Sequence, residues 1–293
     1  MKEPVHVALV SEVEEIDASD LNRVSAALQR QVTRDFAPIW NVEATVDAFG
    51  RLEDVPLGYW PVVVKREIGE SALGYHQDRN GQPYALVLYS QSWSLTASHE
   101  ILEMLGDPWG NNLVGGTSIK EDQGRVRYLV EVCDPCEAPE FAYRINGVLV
   151  SDFYTPAFFD SRQSSGGRYD FTRAIPTPKT VLRGGYISWI DTATDHVWQQ
   201  VWSSGDATPH FRDLTDKFGS HLQSATRSLR EFVDRVSVLP EVQQGVPEGD
   251  ESLEQARSDW HEGKEASAAW AQSFREELDS VIEGAGEGEA TTT

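Results

Sequence analysis

The sequence contains very little cysteine. Two of its 293 residues are cysteines, Cys133 and Cys136, and they form a single Cys-x-x-Cys. Two cysteines cannot build a disulfide scaffold, and without a second pair they cannot form a four-cysteine zinc site. A strand-like run precedes Cys133 and Pro139 follows, so the pattern lacks the helix start that lowers a thiol pKa in thioredoxin-type motifs. We expect a local disulfide or two plain thiols.

Long apolar runs are also missing. Nowhere do about 18 apolar residues follow one another, as a membrane-spanning helix requires. The first apolar run, residues 5–10, is short, contains His6 and is followed at once by acidic residues, which is not the pattern of a secretory signal. We therefore expect no membrane partner and a cytoplasmic location, and leave non-classical export or association with a phage particle open.

Basic residues are scarce relative to acidic ones. The chain has 25 Lys and Arg residues against 47 Asp and Glu residues, a formal net charge of -22, and only six of the basic residues are lysines. This balance argues against a nucleic-acid partner. Residues 241–293 hold 14 acidic and three basic side chains, which is half of the net charge. Such a segment is typical of a solvated tail.

Apolar residues make up 40% of the chain and aromatic residues 10%, which is enough for at least one sizeable core. Hydrophobic periodicity indicates several strands and two helices in the first 153 residues. The predicted strands are residues 5–10, 40–49, 60–66, 84–89, 126–133 and 141–153, and the predicted helices are 21–36, stopped by Pro38, and 95–105. This order predicts an α+β fold.

The pattern changes near residue 206. Five apolar residues are spaced for one face of a helix: Leu214, Phe218, Leu222, Leu229 and Phe232. Another helical pattern, with Trp260, Trp270 and Phe274, follows a linker. We predict a domain at 1–205, an amphipathic helical extension at 206–239, and an acidic tail at 240–293 that is helical or partly disordered. The aromatic residues on one face of this second helical pattern predict that it docks, either on the domain or on a protein partner.

The helix predicted at 95–105 has two distinct faces. At 100 degrees per residue, setting His99 at zero places Glu103 near 40 degrees and Glu100 near 100 degrees, whereas the apolar side chains fall between about 200 and 300 degrees. The apolar face can pack on a sheet, and the polar face can border a cleft or solvent. The i, i+4 spacing allows His99 and Glu103 to bind one metal ion, and Glu100 to reach a water bound to it.

The run Ser98-His99-Glu100-x-x-Glu103, with Asp107-Pro108 after it, resembles the H-E-x-x-H helix of the zincin peptidases. It resembles more closely a group of bacterial and phage zincin-like proteins, in which the helix is accompanied by Gly74-Tyr75-His76 and by Glu131-Val132-Cys133-Asp134-Pro135. This resemblance implies a zincin-like mixed sheet with an active-site helix. The residue pattern predicts a β-rich irregular part after it and then the helical acidic C-terminal region. The resemblance also implies zinc-dependent hydrolysis of a peptide or protein substrate, with His99 and Glu103 as ligands and Glu100 as general base.

The sequence departs from the zincin pattern at Glu103, which stands where a second histidine is usual. A carboxylate ligand makes the site less positive, so its bound water is acidified less. In the metzincin branch the third ligand would fall on Trp109, which cannot bind a metal. Three carboxylates remain as candidates for the third ligand: Asp107, Glu131 and Asp134. We prefer the downstream segment 131–134 slightly over Asp107.

Two further residues are candidates for binding: His76, ahead of the helix, for substrate or a metal ion, and Tyr186, after Gly184-Gly185, for substrate. A local hydrogen bond of His76 and an ordinary turn at the glycines explain the same features. Two other functions also stay open. One is a non-enzymatic interaction or structural protein that keeps a zincin scaffold, with or without a metal ion. The other is a calcium site, second to zinc, because carboxylate-rich ligation suits hard cations.

Overall fold

The computed structural model describes residues 4–69, 72–203 and 205–218, together with Val233. These residues form two five-stranded sheets, a hairpin and a few helices, which is a mixed α and β architecture. The first sheet comes from the N-terminal part of the chain. Its strands are β1 (Val5–Ser11), β2 (Ala44–Phe49), β3 (Tyr59–Lys65), β4 (Gly74–Arg79) and β5 (Gln82–Leu88).

The first sheet has the strand order β2-β1-β3-β5-β4. All neighbours are parallel except β4, which runs antiparallel to β5 at one edge. Valines dominate the central strand β3 because both faces of the sheet are covered: Val62 and Val64 pack in one core and Val63 in another. Strand β4 was not predicted, because most of its residues are polar and merge with the following turn. It places His76 opposite Ala85, on the face that carries the helices.

The first helix follows β1 and crosses to β2. It consists of α1 (Ala18–Arg30), a π-helical segment (Gln31–Phe36) and α2 (Ala37–Trp40). The prediction that Pro38 stops the helix is wrong. Pro38 lies in the first turn of α2, where the missing N–H of proline costs little. The helix ends instead at Asn41, whose φ of 53° is left-handed.

The helix α3 (Trp93–Gly106) follows β5 directly. It packs on β5 and β4, with Ile101 and Leu105 in the main core. Every residue from 93 to 105 except Ser94 is buried. The polar face was expected to border a cleft or solvent, but β4 covers it at Glu100, and the segment with Cys133 and Asp134 covers it at His99 and Glu103.

The second sheet is antiparallel, with the order β12-β11-β10-β7-β6. Its strands are β6 (Leu113–Thr117), β7 (Arg125–Leu129), β10 (Tyr186–Asp191), β11 (Val197–Val201) and β12 (His210–Asp213). Between β7 and β10 lies the hairpin of β8 (Tyr143–Ile145) and β9 (Val148–Val150), which contacts α3. The strands predicted at 126–133 and 141–153 are thus shorter and interrupted.

The C-terminal prediction can be compared with the structure only at its beginning. Residues 210–213, expected to be helical, form β12 because they pair with β11, and the short helix α4 (Thr215–Phe218) begins after them. Residues 219–232 and 234–293, which include the rest of the extension and the acidic tail, lie outside the described residues. Within the described part of the chain, no helix has both the length and the apolar character that crossing a membrane requires.

Candidate metal centre

The centre of the site is the pair of residues that α3 places one turn apart. His99 Nε2 lies 3.2 Å from Glu103 Oε2. The His99 side chain is 11% exposed, whereas the Glu103 side chain is completely buried. His99 therefore lies at the entrance of the site and Glu103 at its base.

A third side chain reaches this pair from the second half of the chain. Asp134 Oδ1 lies 3.3 Å from His99 Nε2, and the Asp134 side chain is 2% exposed. His99, Glu103 and Asp134 each offer one ligand atom, and the three atoms lie within 4.8 Å of one another. The structure thus brings Asp134, one of the three candidates for the third ligand, to the two ligands predicted on the helix.

The segment that carries Asp134 is held in place by its backbone. The Cys133 N–H donates to Glu103 Oε1 at 3.1 Å, and the Leu182 N–H donates to the Pro135 carbonyl at 2.9 Å. Gly185 is required beneath this segment, because a Cβ there would meet the carbonyl oxygens of Asp134 and Pro135 at 2.5 and 2.7 Å. The role of Gly184-Gly185 is therefore close backbone packing rather than direct contact with a ligand.

A second group of donor atoms shares Glu103 with the first. His76 Nδ1 is 3.5 Å from Glu100 Oε2 and 3.9 Å from Glu103 Oε2. The donor atoms of these three residues also lie within 4.8 Å of one another. His76 Nε2 lies 3.2 Å from the backbone carbonyl of Asp107. The His76 side chain, a candidate for binding substrate or a metal ion, is fully buried and faces these carboxylates.

Close packing of β4 against α3 positions Glu100. A Cβ at Gly74 would meet Thr96 Cγ2 at 2.7 Å and Glu100 Oε1 at 2.8 Å. Glycine at this position therefore lets the strand approach the helix and leaves room for the Glu100 carboxylate. The upstream Gly74-Tyr75-His76 segment thus contributes both this space and an imidazole to the neighbourhood of Glu100.

The electrostatics of the site are dominated by buried acids. Burial opposes a charge on His99, but the carboxylates of Glu103 and Asp134 outweigh this effect and raise its pKa well above the ordinary value. Burial also raises the pKa of Glu137 well above its usual range, and the nearby Asp134 raises it further. A site of this kind stabilises positive charge, whether a proton or a metal ion.

Two buried polar groups beside the site, Glu137 and Tyr154, are not singled out by the sequence. Among the described residues, neither Glu137 Oε1 nor the Tyr154 hydroxyl has a hydrogen-bond partner. Glu137 is 3% exposed and Tyr154 1%. The pKa of Tyr154 is raised by burial and then by the carboxylates of Glu103 and Asp134, which places it next to the site. Glutamate and tyrosine are common residues, so no sequence signal distinguished these two.

The other candidate residues lie elsewhere. The Asp107 carboxylate accepts the backbone N–H groups of Asn111 and Asn112 at 3.1 and 2.8 Å, so it organises the loop after α3. Glu131 is buried but belongs to neither donor group. Tyr186 packs in an apolar cluster on the second sheet, with Leu129 and Val201 among its members. The structure therefore favours Asp134 over Asp107 and Glu131 as the third metal ligand. Tyr186 does not lie at either donor group.

Ser98, which precedes His99 in the motif, has a structural role. Its hydroxyl donates to Gln31 Oε1 at 2.7 Å and accepts the Ser151 N–H at 2.9 Å. Gln31 Nε2 in turn donates to the Ser151 carbonyl at 2.9 Å. This closed network joins α3 to the π-helical segment and to the residue after β9.

Cys133 and Cys136 are free thiols and both are buried. Burial raises the pKa of each thiol well above its ordinary value, and the nearby carboxylates add to this effect. Neither belongs to the two donor groups. The motif Cys-x-x-Cys therefore supplies two unreactive thiols in the short 3-10 turn that carries Asp134.

The donor set fits a zinc ion. Ligand atoms of one tetrahedral zinc lie roughly 3.3–3.5 Å apart, given bonds of about 2.0–2.2 Å, and the two separations at His99 Nε2 are 3.2 and 3.3 Å. Glu137, whose buried Oε1 has no hydrogen-bond partner among the described residues, adds a further acid near Asp134.

Comparisons with known proteins give no independent indication of function. No family model matches the chain, no curated protein matches it, and no solved structure matches it. Any functional conclusion therefore depends on the geometry described above.

Proposed function

We propose that this protein is a zinc-dependent hydrolase of peptide bonds, with a zincin-like active-site helix. The proposal is carried by one observation, the convergence of His99 Nε2, Glu103 Oε2 and Asp134 Oδ1 from two distant segments of the chain. The mixed sheet, with α3 following β5 and packing on it, is compatible with this interpretation.

Burial explains why these residues would hold a metal ion rather than simply contact one another. Glu103 and Asp134 are almost without solvent contact, and an isolated buried carboxylate is several kcal/mol less stable than in water. A divalent cation would neutralise both carboxylates at once. The imidazole of His99 favours zinc over calcium, because calcium takes oxygen ligands almost exclusively.

A zinc ion held by His99, Glu103 and Asp134 would supply Lewis-acid polarisation of the peptide carbonyl and would acidify the attacking water. Glu100, the next residue after His99, would accept the proton of that water and deliver it to the leaving amine. Its orientation is set by Gly74, which gives the carboxylate room, and by His76 beside it. The exposed edge of His99 is where a peptide would approach.

The first test is the metal content of the purified protein after incubation with zinc and removal of the excess. We expect zinc to bind in the wild type with an affinity that His99→Ala reduces by about 100-fold or more. His196→Ala is the matched control, because this histidine is 46% exposed and pairs with Asp213. Equal zinc affinity in His99→Ala and the wild type would exclude the proposed ligand set.

The second test addresses the reaction. We expect the zinc-loaded wild type to cleave fluorescein-labelled casein, and Glu100→Gln to lose at least about 100-fold in rate because the general base is absent. His196→Ala should cleave at the wild-type rate. Cleavage that survives in Glu100→Gln would contradict the assignment of Glu100.

A non-enzymatic protein with a structural zinc is the second candidate. It is favoured by the near-complete burial of Glu103 and Asp134, which leaves only His99 in contact with solvent. In that case zinc would raise the melting temperature of the wild type and of Glu100→Gln equally, and neither would cleave casein.

A further inference from the structure

We propose that the site accepts a second divalent cation, held by His76 Nδ1, Glu100 Oε2 and Glu103 Oε2, and that this ion inhibits the hydrolase. The position of the second ion follows from the geometry of His76. Its inhibitory effect rests on the proposed function of Glu100 as the general base.

The three donor atoms of this second group lie between the edge strand β4 and the helix α3. His76 Nδ1 is 3.5 Å from Glu100 Oε2 and 3.9 Å from Glu103 Oε2, separations that ligands of one ion can adopt. All three side chains are at least 95% buried. One imidazole and two carboxylates repeat the chemistry of the first group, His99, Glu103 and Asp134.

The contacts of His76 determine which of its nitrogens can bind a metal ion. Nε2 lies 3.2 Å from the Asp107 carbonyl oxygen, which can only accept a hydrogen bond. Nε2 must therefore carry the ring hydrogen, and in the neutral imidazole Nδ1 presents its lone pair towards Glu100 and Glu103. A nitrogen lone pair and two carboxylates that converge form a donor set for a cation, either a proton or a metal ion.

Glu103 belongs to both groups. Its Oε1 is occupied by the Cys133 N–H at 3.1 Å, so Oε2 is the oxygen that faces both imidazoles. One carboxylate shared between two donor groups is the arrangement found in two-metal sites, where the paired ions lie about 3.5–4 Å apart. Two positions that share Glu103 Oε2 are compatible with such a pair.

Occupancy of the second position would change the role of Glu100. A carboxylate that binds a metal ion has its lone pairs engaged and is a much weaker proton acceptor. Zinc would therefore first activate the protein, at the His99 group, and at higher concentration inhibit it, at the His76 group. Glu100 is the residue through which the two positions affect the same reaction.

Zinc stoichiometry by equilibrium dialysis tests this proposal without depending on activity. The wild type should bind two zinc ions per chain, and His76→Gln should bind one. Glutamine is the appropriate replacement, because its amide can donate to the Asp107 carbonyl as Nε2 does but offers no ligand at the Nδ1 position. Glu100→Gln should also bind one, which keeps the test valid if His76→Gln does not fold. His196→Gln, altered at an exposed histidine, should bind two.

A double variant distinguishes the two ion positions. His99→Ala should retain the second ion only, and His99→Ala/Glu100→Gln should bind none. A single zinc in the wild type that is lost in His99→Ala but kept in both His76→Gln and Glu100→Gln would overturn the second position and leave the proposed function intact. The cation beside His76 would then be a proton. Two ions that both survive in His99→Ala would instead overturn the proposed catalytic site.

Activity provides the second measurement. Casein cleavage by the wild type should rise with the first equivalent of zinc and fall at least about fivefold as the second position fills. In His76→Gln the cleavage rate, compared with that variant's own rate at one equivalent of zinc, should show no decrease at high zinc. Inhibition of equal extent in His76→Gln would show that excess zinc acts elsewhere.

Discussion

Glu103 is joined to Cys133 by a hydrogen bond from the Cys133 N–H to Glu103 Oε1, with a length of 3.1 Å. This bond connects the helix that carries His99 to the segment that carries Asp134. A neutral imidazole has one nitrogen lone pair, so a histidine at 103 could either accept this N–H or bind a metal ion, but not both. A carboxylate has two oxygens and can do both, which gives a physical reason for glutamate in place of the second histidine.

The first prediction concerns this double role. Glu103→Gln keeps a carbonyl oxygen for the Cys133 N–H but replaces the second oxygen by an amide that cannot bind a cation. We expect zinc affinity to fall about 100-fold or more, with a zinc-free melting temperature close to that of the wild type. Competition with a fluorescent zinc chelator measures the first quantity and thermal unfolding the second. Unchanged zinc affinity in Glu103→Gln would rule out Glu103 as a ligand.

The second prediction concerns Ser98, which we expect to contribute to the stability of the fold and not to zinc binding. Ser98→Ala leaves the Gln31 side chain and the Ser151 N–H without their buried partner. We expect a loss of about 2–4 kcal/mol in the free energy of unfolding, measured in urea on zinc-free protein, since each buried unsatisfied group costs about 1–3 kcal/mol.

Ser94→Ala is the matched control for Ser98→Ala. The Ser94 hydroxyl donates to the Leu149 carbonyl at 2.9 Å from a half-buried position, so its loss should cost about 1 kcal/mol or less. Zinc affinity should change less than about threefold in both variants. A similar loss of stability in the two variants would show that the Ser98 network is not important.

The third prediction concerns the backbone beneath Asp134. Gly185→Ala would bring a Cβ within 2.5 Å of the Asp134 carbonyl oxygen, and backbone cannot move aside as a side chain can. We expect a loss of about 1–3 kcal/mol in stability and a loss of about tenfold in zinc affinity as Asp134 is displaced. Gly124→Ala is the control, because no atom lies within 4 Å of a Cβ there. Equal zinc affinity in both variants would contradict this account of how Asp134 is positioned.

The fourth prediction concerns pH and a pair of acids outside the site. Burial raises the pKa of Asp152 well above its usual range, and a hydrogen bond with Asp170 raises it further. A folded-state pKa above the unfolded value means that the folded protein holds the proton more tightly. The stability gained from this proton is complete at pH values below the unfolded pKa and is lost as the pH rises through the folded pKa.

In Asp152→Asn no proton has to be released as the pH rises. Between pH 5 and pH 9, with a chelator present, the melting temperature of the wild type should therefore fall relative to that of Asp152→Asn. Asp160→Asn, at an exposed position, should follow the wild type. Parallel curves of melting temperature against pH for Asp152→Asn and the wild type would show that Asp152 and Asp170 do not share a proton.

Much of the first sheet could be predicted from the sequence. Short apolar runs predicted β1, β3 and β5, and the helix predicted at 95–105 differs from α3 by two residues at one end and one at the other. These elements are determined locally, since periodicity and turn residues act over a few positions. Strand β4 was missed because its stability comes from pairing with β5, and no local pattern records that pairing.

The relation of His99, Glu100 and Glu103 to one another was determined by the sequence alone, because 3.6 residues per turn place positions i and i+4 side by side on any helix. Only the tertiary structure decided which carboxylate completes the group. Asp107 is nearer in sequence, yet it binds loop N–H groups, and Asp134 reaches His99 from 35 residues away. Contacts over such a distance depend on how whole elements pack, and side-chain spacing along the chain carries no information about them.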